Sequence, residues 1–168
     1  MKADASRVRI ASVLALLAFV GPGARAQSYT AHLTGAPANT SPGTSDATFS
    51  LAGNKLTVSV PFSGLTAGTT AAHVHCCTTT PLSGDAAPAT PVPSFPGFPA
   101  GVTSGSYSHT FDLGLASSYN PAFVKANGGV AGAKAAFIKG LNGGNAYLNI
   151  HTKAFPGGEI RGFIVAKH

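Results

Sequence analysis

His73 and His75 stand two apart in Ala71-Ala72-His73-Val74-His75-Cys76-Cys77, and the chain's only two cysteines follow at once. In an extended strand, side chains two apart point to one face. The two imidazoles therefore project together, with Val74 turned the other way into a core. Such a pair suits a shared metal ion, because each ring offers a nitrogen without any bend in the backbone. A second stretch, Ala146-Tyr147-Leu148-Asn149-Ile150-His151-Thr152, alternates in the same way. It puts Tyr147, Asn149 and His151 on one face and Leu148 and Ile150 on the other. If the two strands are neighbours, His151 becomes a third ligand. Copper or zinc is the ion that such imidazoles suit.

The cysteines admit three readings. Cys76 and Cys77 can form a disulfide between adjacent residues, supply thiolate to a Cu(I) or Zn(II) ion, or stay as free thiols. By alternation only Cys77 shares the face of His73 and His75, so Cys77 is the candidate sulfur ligand. His109, between Tyr107 and Phe111, is the reserve ligand. His32 has no acidic or cysteine neighbour along the chain and reads as structural. Glu159 and Arg161 are two apart and share a strand face; an ion pair at a sheet edge is the expectation for them, and a role next to the His cluster is the alternative.

These residues need strands to hold them, and the pattern supplies strands. Gly and Pro are abundant and charged residues sparse, with short β-branched and aromatic runs between turn residues. Tyr29 to Thr34, Asp46 to Leu51, Lys55 to Phe62, the His73 segment, Ser106 to Leu113, the His151 segment and Glu159 to Ala166 all read as strands. Ala47, Phe49 and Leu51 share one face, as do Leu56, Val58 and Val60. Residues 78–105 carry six prolines and read as a long functional loop, with Val92, Phe95 and Phe98 packing it over the domain. Asn120 to Leu141 has partial helical spacing, and Gly128-Gly129 interrupts it, so two short helices or one broken one are expected. The fold expected is all-β, a Greek-key β-sandwich or barrel-like domain with a long Pro-rich loop and a short helical insertion.

The start of the chain reads as an export signal. Lys2, Arg7 and Arg9 precede an apolar run from Ile10 to Val20, and Ala24-Arg25-Ala26 fits a cleavage site. Residues 1–26 are therefore expected to be removed, leaving one domain over residues 27–168, periplasmic or secreted, with no membrane span. The whole chain carries +6, and the part after Ala26 carries +3 on scattered residues. Nothing there makes a nucleic-acid stripe or a polybasic membrane patch. Hydrolytic motifs and phosphate-binding glycine loops are absent.

Three pieces stand in an order that resembles a known family. They are Tyr29-Thr30-Ala31-His32-Leu33-Thr34-Gly35, Ala72-His73-Val74-His75, and Ala146 to Thr152 running on through Phe155-Pro156-Gly157-Gly158-Glu159-Ile160-Arg161-Gly162. This resembles the CHRD domain, a chordin-type module also found in exported microbial proteins, and the likeness spans residues 27–168. It implies a β-rich domain. A second likeness runs to copper–zinc superoxide dismutase, a Greek-key β-sandwich that also sets two copper ligands as His-Val-His. That likeness implies His73, His75 and His151 as ligands and Arg161 as an anion-steering catalytic residue.

The leading expectation is an exported binding protein holding copper or zinc at its histidines, or engaging a cell-surface or extracellular protein partner. The alternatives are a copper-dependent redox enzyme of dismutase type and a metal-free structural or adhesive domain.

Overall fold

The computed structural model describes residues 26–36 and 39–167. The expected signal segment lies outside them except for Ala26, as does His168. Eight strands form in chain order: β1 Gln27–Gly35, β2 Thr44–Ala52, β3 Lys55–Ser63, β4 Thr69–Cys76, β5 Gly105–Asp112, β6 Ala146–Thr152, β7 Ile160–Phe163 and β8 Val165–Ala166. Two helices, α1 Pro121–Ala126 and α2 Val130–Gly143, lie between β5 and β6. The sheet runs β4-β6-β7-β1-β2-β3-β5, with β8 also on β1. Every pairing is antiparallel. The expected all-β, barrel- or sandwich-like architecture is the one the chain adopts.

Alternation builds the core. Ala47, Phe49 and Leu51 of β2 and Leu56, Val58 and Val60 of β3 are all buried, while Thr48, Ser50 and Thr57 between them face water. This is the pattern of an antiparallel sheet with one wet face. β6 is different, because only His151 of its seven residues is not fully buried. Its second face is covered as well, and loops do the covering.

The Pro-rich loop runs along the free edge of β4. Cys76 N donates to the Ala87 carbonyl, Ala89 N to the Val74 carbonyl and Phe95 N to the Ala72 carbonyl. Further along, Thr69 N donates to the Val102 carbonyl. Phe95 is buried, with its ring 5.4 Å from Tyr107 and 5.3 Å from Phe111. Those two residues belong to β5, the strand at the opposite end of the order. The loop therefore bridges the two edges of the open sheet and closes it into a barrel-like body. The expectation that Val92 helps to pack this loop is corrected, since Val92 is exposed.

The helical insertion breaks where glycine spacing predicts. Gly128 and Gly129 have φ of +72° and +116°. A side chain there would be strained, so neither helix continues across. Asn120 caps α1 by accepting from Ala122 N at 3.0 Å, and its amide donates to the Pro88 carbonyl at 3.0 Å. One side chain thus starts the helix and anchors the Pro-rich loop. Asn120→Ala should cost about 1–2 kcal/mol in chemical denaturation, the usual worth of a cap; no change would show that neither bond matters.

The expected final strand is two strands. β7 pairs with β6 and with the end of β1, and β8 pairs with Tyr29 and Thr30 near the start of β1. Ile164 between them is fully buried, and its N–H donates to the Ala146 carbonyl.

Candidate metal centre

β4 and β6 are neighbours, as the shared site requires. Their register sets His73 opposite Asn149, His75 opposite Tyr147 and Ala71 opposite His151. All six side chains share one face, and His151 sits diagonal to His73 within reach of a long side chain. The ring centroids of His73 and His151 are 5.1 Å apart, those of His73 and His75 5.8 Å, and those of His75 and His151 5.9 Å. One ring nitrogen from each histidine lies within 4.8 Å of the other two. An ion 2.0–2.1 Å from each nitrogen needs them roughly 3.3–3.6 Å apart. The facing nitrogens of His73 and His151 are already 3.1 Å apart, so a small movement of the His75 ring toward them would complete that geometry.

The outer nitrogen of every ring is committed to a backbone carbonyl. His73 Nε2 meets Pro93 O at 2.8 Å, His75 Nδ1 meets Ala86 O at 2.8 Å and His151 Nδ1 meets Pro156 O at 2.8 Å. A carbonyl can only accept, so each outer nitrogen carries the proton. A neutral imidazole has one N–H, which leaves His73 Nδ1, His75 Nε2 and His151 Nε2 as bare lone pairs. His75 Nε2 is buried without a hydrogen-bond partner. His73 Nδ1 and His151 Nε2 face each other at 3.1 Å. Two lone pairs facing each other at that distance repel, and a proton or a metal ion between them relieves the repulsion.

The proton is the poorer choice. Burial, helped by the nearby charge of His151, lowers the His73 pKa to about 4 against the opposing pull of the Pro93 carbonyl. Burial also lowers His75 and His151. The sign for stability follows. Below pH ~6.5 the unfolded histidines bind protons that the folded ones refuse, so the metal-free fold weakens as pH falls from about 6.5 toward about 4. Denaturant titrations in chelator should give a lower midpoint at pH 5 than at pH 7.5, and the reverse order would count against neutral rings.

Cys77 is not with the histidines, which corrects its placement as a ligand. β4 ends at Cys76, so alternation stops before Cys77. The two cysteines are bonded to each other, and the described residues include no free cysteine. The disulfide packs on α2, where a Cβ on Gly140 would come within 3.0 Å of Cys77 Sγ. His109 stays on β5 opposite Val58, stacked on Tyr107 and edge-on to Phe111, and is not part of the cluster. His32 does have an acidic partner, across the strand pair: its Nδ1 lies 2.7 Å from Asp46 Oδ1.

Glu159 and Arg161 do not pair, correcting the expected ion pair. Arg161 donates from Nη1 to Asp85 Oδ1 at 2.5 Å and from Nη2 to Gly84 O at 3.2 Å. Glu159 is fully buried and accepts only from neutral groups. Its Oε1 receives Ser41 Oγ and Thr66 N at 2.6 Å and Thr66 Oγ1 at 3.0 Å, and its Oε2 receives Thr152 Oγ1 at 2.7 Å. Burial pushes the carboxyl pKa up, but these four donors outweigh burial and hold it below the ordinary value. The carboxylate ties β6, at Thr152, to the loops before β2 and β4.

The three carbonyls that orient the rings escaped sequence reading, because they lie in loops with no periodicity. Six of the prolines crowd that loop, and Pro93 is one of them; nothing in its type marks it as a partner of His73.

Fold and site together define an all-β domain that carries an inward-facing histidine triad on two adjacent strands, closed over by loops. The CHRD domain family matches over residues 29–164, and the chain belongs to that family. No curated protein and no solved structure matches it. No helix among the described residues is long and apolar enough to cross a membrane.

Proposed function

We propose that this CHRD domain binds one transition metal ion, copper or zinc, through His73 Nδ1, His75 Nε2 and His151 Nε2. The observation that carries the reading is the hydrogen-bond arrangement. Each ring gives its N–H to a carbonyl and turns a bare nitrogen inward, which is how metal-ligating histidines are ordinarily held. The donor set points to the ion. Three neutral imidazoles with no carboxylate suit zinc or copper and do not suit calcium or magnesium, which need oxygen ligands. Three protein ligands leave a further coordination position for water or a small molecule, where a bound metal would act as Lewis acid or redox centre.

The basic, apolar start of the chain supports export, and the disulfide suits an oxidising compartment. The domain is read as an exported metal-binding protein that works in the periplasm or outside the cell.

Metal analysis of protein purified from the periplasm without chelator tests this, together with a superoxide assay. About one equivalent of copper or zinc, lost in a His73→Ala/His151→Ala variant, is the expected result. Dismutase activity would move the reading to a redox enzyme. A folded protein that takes up neither metal would leave a structural or adhesive domain.

A further inference from the structure

The carbonyl that holds His75 is itself held, and the chain of contacts leads to Arg161. Ala86 O accepts from His75 Nδ1 at 2.8 Å and from Tyr147 Oη at 3.2 Å, and Ala86 N donates back to Tyr147 Oη at 3.3 Å. The Tyr147 ring lies almost parallel to His75, with centroids 4.8 Å apart and 11° between planes. Arg161 Cζ lies 4.7 Å from the Tyr147 centroid. Its nitrogens bond Asp85 and Gly84, the two residues before Ala86. The register explains the meeting. Arg161 pairs with Asn149, Tyr147 pairs with His75 on one side and Phe163 on the other, and all of them share the histidine face.

We propose that Arg161 is a positioning residue for the metal centre, holding His75 at its coordination angle. It does so by two routes: through the Tyr147 stack, and by tying down Gly84 and Asp85 beside the Ala86 carbonyl. This rests on the metal-binding reading above. The competing account is an ordinary ion pair with Asp85, whose side chain is 84% exposed. Such pairs contribute little. That account fails to explain why the Arg161 side chain is only 16% exposed and sets its guanidinium over an aromatic ring. A planar fork that stacks and donates twice is a role lysine cannot copy. The arrangement also spends the guanidinium on the protein, leaving the anion-steering role implied by the dismutase likeness with little of the group to use.

The test is Co(II) titration of the purified protein, read by visible absorption, on wild type, Arg161→Met, Arg161→Lys, His75→Ala and the double variant R161M/H75A. Arg161→Met should weaken Co(II) binding about 10- to 100-fold, the usual effect of losing a group behind a metal ligand. Its d–d bands should shift, with the Tm of the metal-free protein unchanged. Arg161→Lys should bind with intermediate affinity, and it carries the test if the Met variant does not fold. In the His75→Ala background, Arg161→Met should cause no further loss, because it acts through the ring already removed. Wild-type affinity and spectrum in both Arg161 variants, or an equal loss with and without His75, would overturn the proposal while leaving the metal site standing. If wild type binds no Co(II), Zn(II) or Cu(II), the metal reading fails and this proposal falls with it.

Discussion

Glu159→Leu should destabilise the fold by roughly 3–5 kcal/mol, lowering Tm by about 10–20 °C for a domain of this size. The carboxylate is fully buried and, among the described residues, has no cation paired with it. Removing it strands four donors at once. The Ser41, Thr66 and Thr152 hydroxyls can rotate to other acceptors, but the Thr66 backbone N–H cannot. Glu159→Gln should cost far less, on the order of 1 kcal/mol, because one amide oxygen still accepts and Thr152 Oγ1 can accept from the new amide. The gap between the two variants in guanidinium melts is the measurement. Equal losses would mean that shape, not acceptance, is what matters. Acid gives a second readout. The carboxylate is held below its ordinary pKa, so its contribution is present above about pH 4.5 and is lost as pH falls through the lowered value.

Adding zinc should raise the melting temperature of the chelator-stripped protein by roughly 10–15 °C at pH 7.5. An ion that binds only the folded state adds about 4 kcal/mol when present at 1,000 times its Kd. The gain should shrink as pH falls toward about 4, where protons begin to compete for the lowered His73 nitrogen in the folded state. His151→Ala should remove most of the gain. It breaks the triad and leaves two ligands on one strand, and losing a ligand at such a site costs at least about 100-fold in affinity, or close to 3 kcal/mol. A wild-type shift that survives in His151→Ala would place the ion elsewhere. Two effects act on His151→Ala in the absence of metal. It relieves the opposed lone pairs on His73 and His151, and it opens a small hole. A metal-free variant as stable as wild type would show that the opposition has a cost comparable to that hole.

The site was legible where period two governs. His73, His75 and His151 sit inside β4 and β6, and alternation alone put them on one face. That the strands are neighbours followed from the topology expected of a β-sandwich. Cys77 went wrong for the same reason that the histidines went right: the rule holds inside a strand, and β4 stops one residue short. Glu159 could not be read, because its partners Ser41 and Thr66 are 118 and 93 positions away in the chain. Spacing along β7 pointed instead to Arg161, which the fold gives to Asp85. Most strand positions were legible, yet the role of the Pro-rich loop as edge cover was not. Prolines announce irregular backbone without saying which carbonyls will meet which amides.

That loop has one more consequence. It supplies two of the three carbonyls that orient the histidines, from Ala86 and Pro93, and it also occupies the bare edge of β4. An ion bound there would therefore brace the cover over a strand that would otherwise be free to recruit another chain. Thr69–Cys76 is largely buried and carries no acidic, lysine or arginine residue to repel a newcomer. Metal supply would then govern more than the chemistry of the site. Starved of its ion, the protein would have a looser flap, a more adhesive edge and a greater tendency to self-associate, so the quantity to watch in a metal-poor culture is how much of it stays in solution.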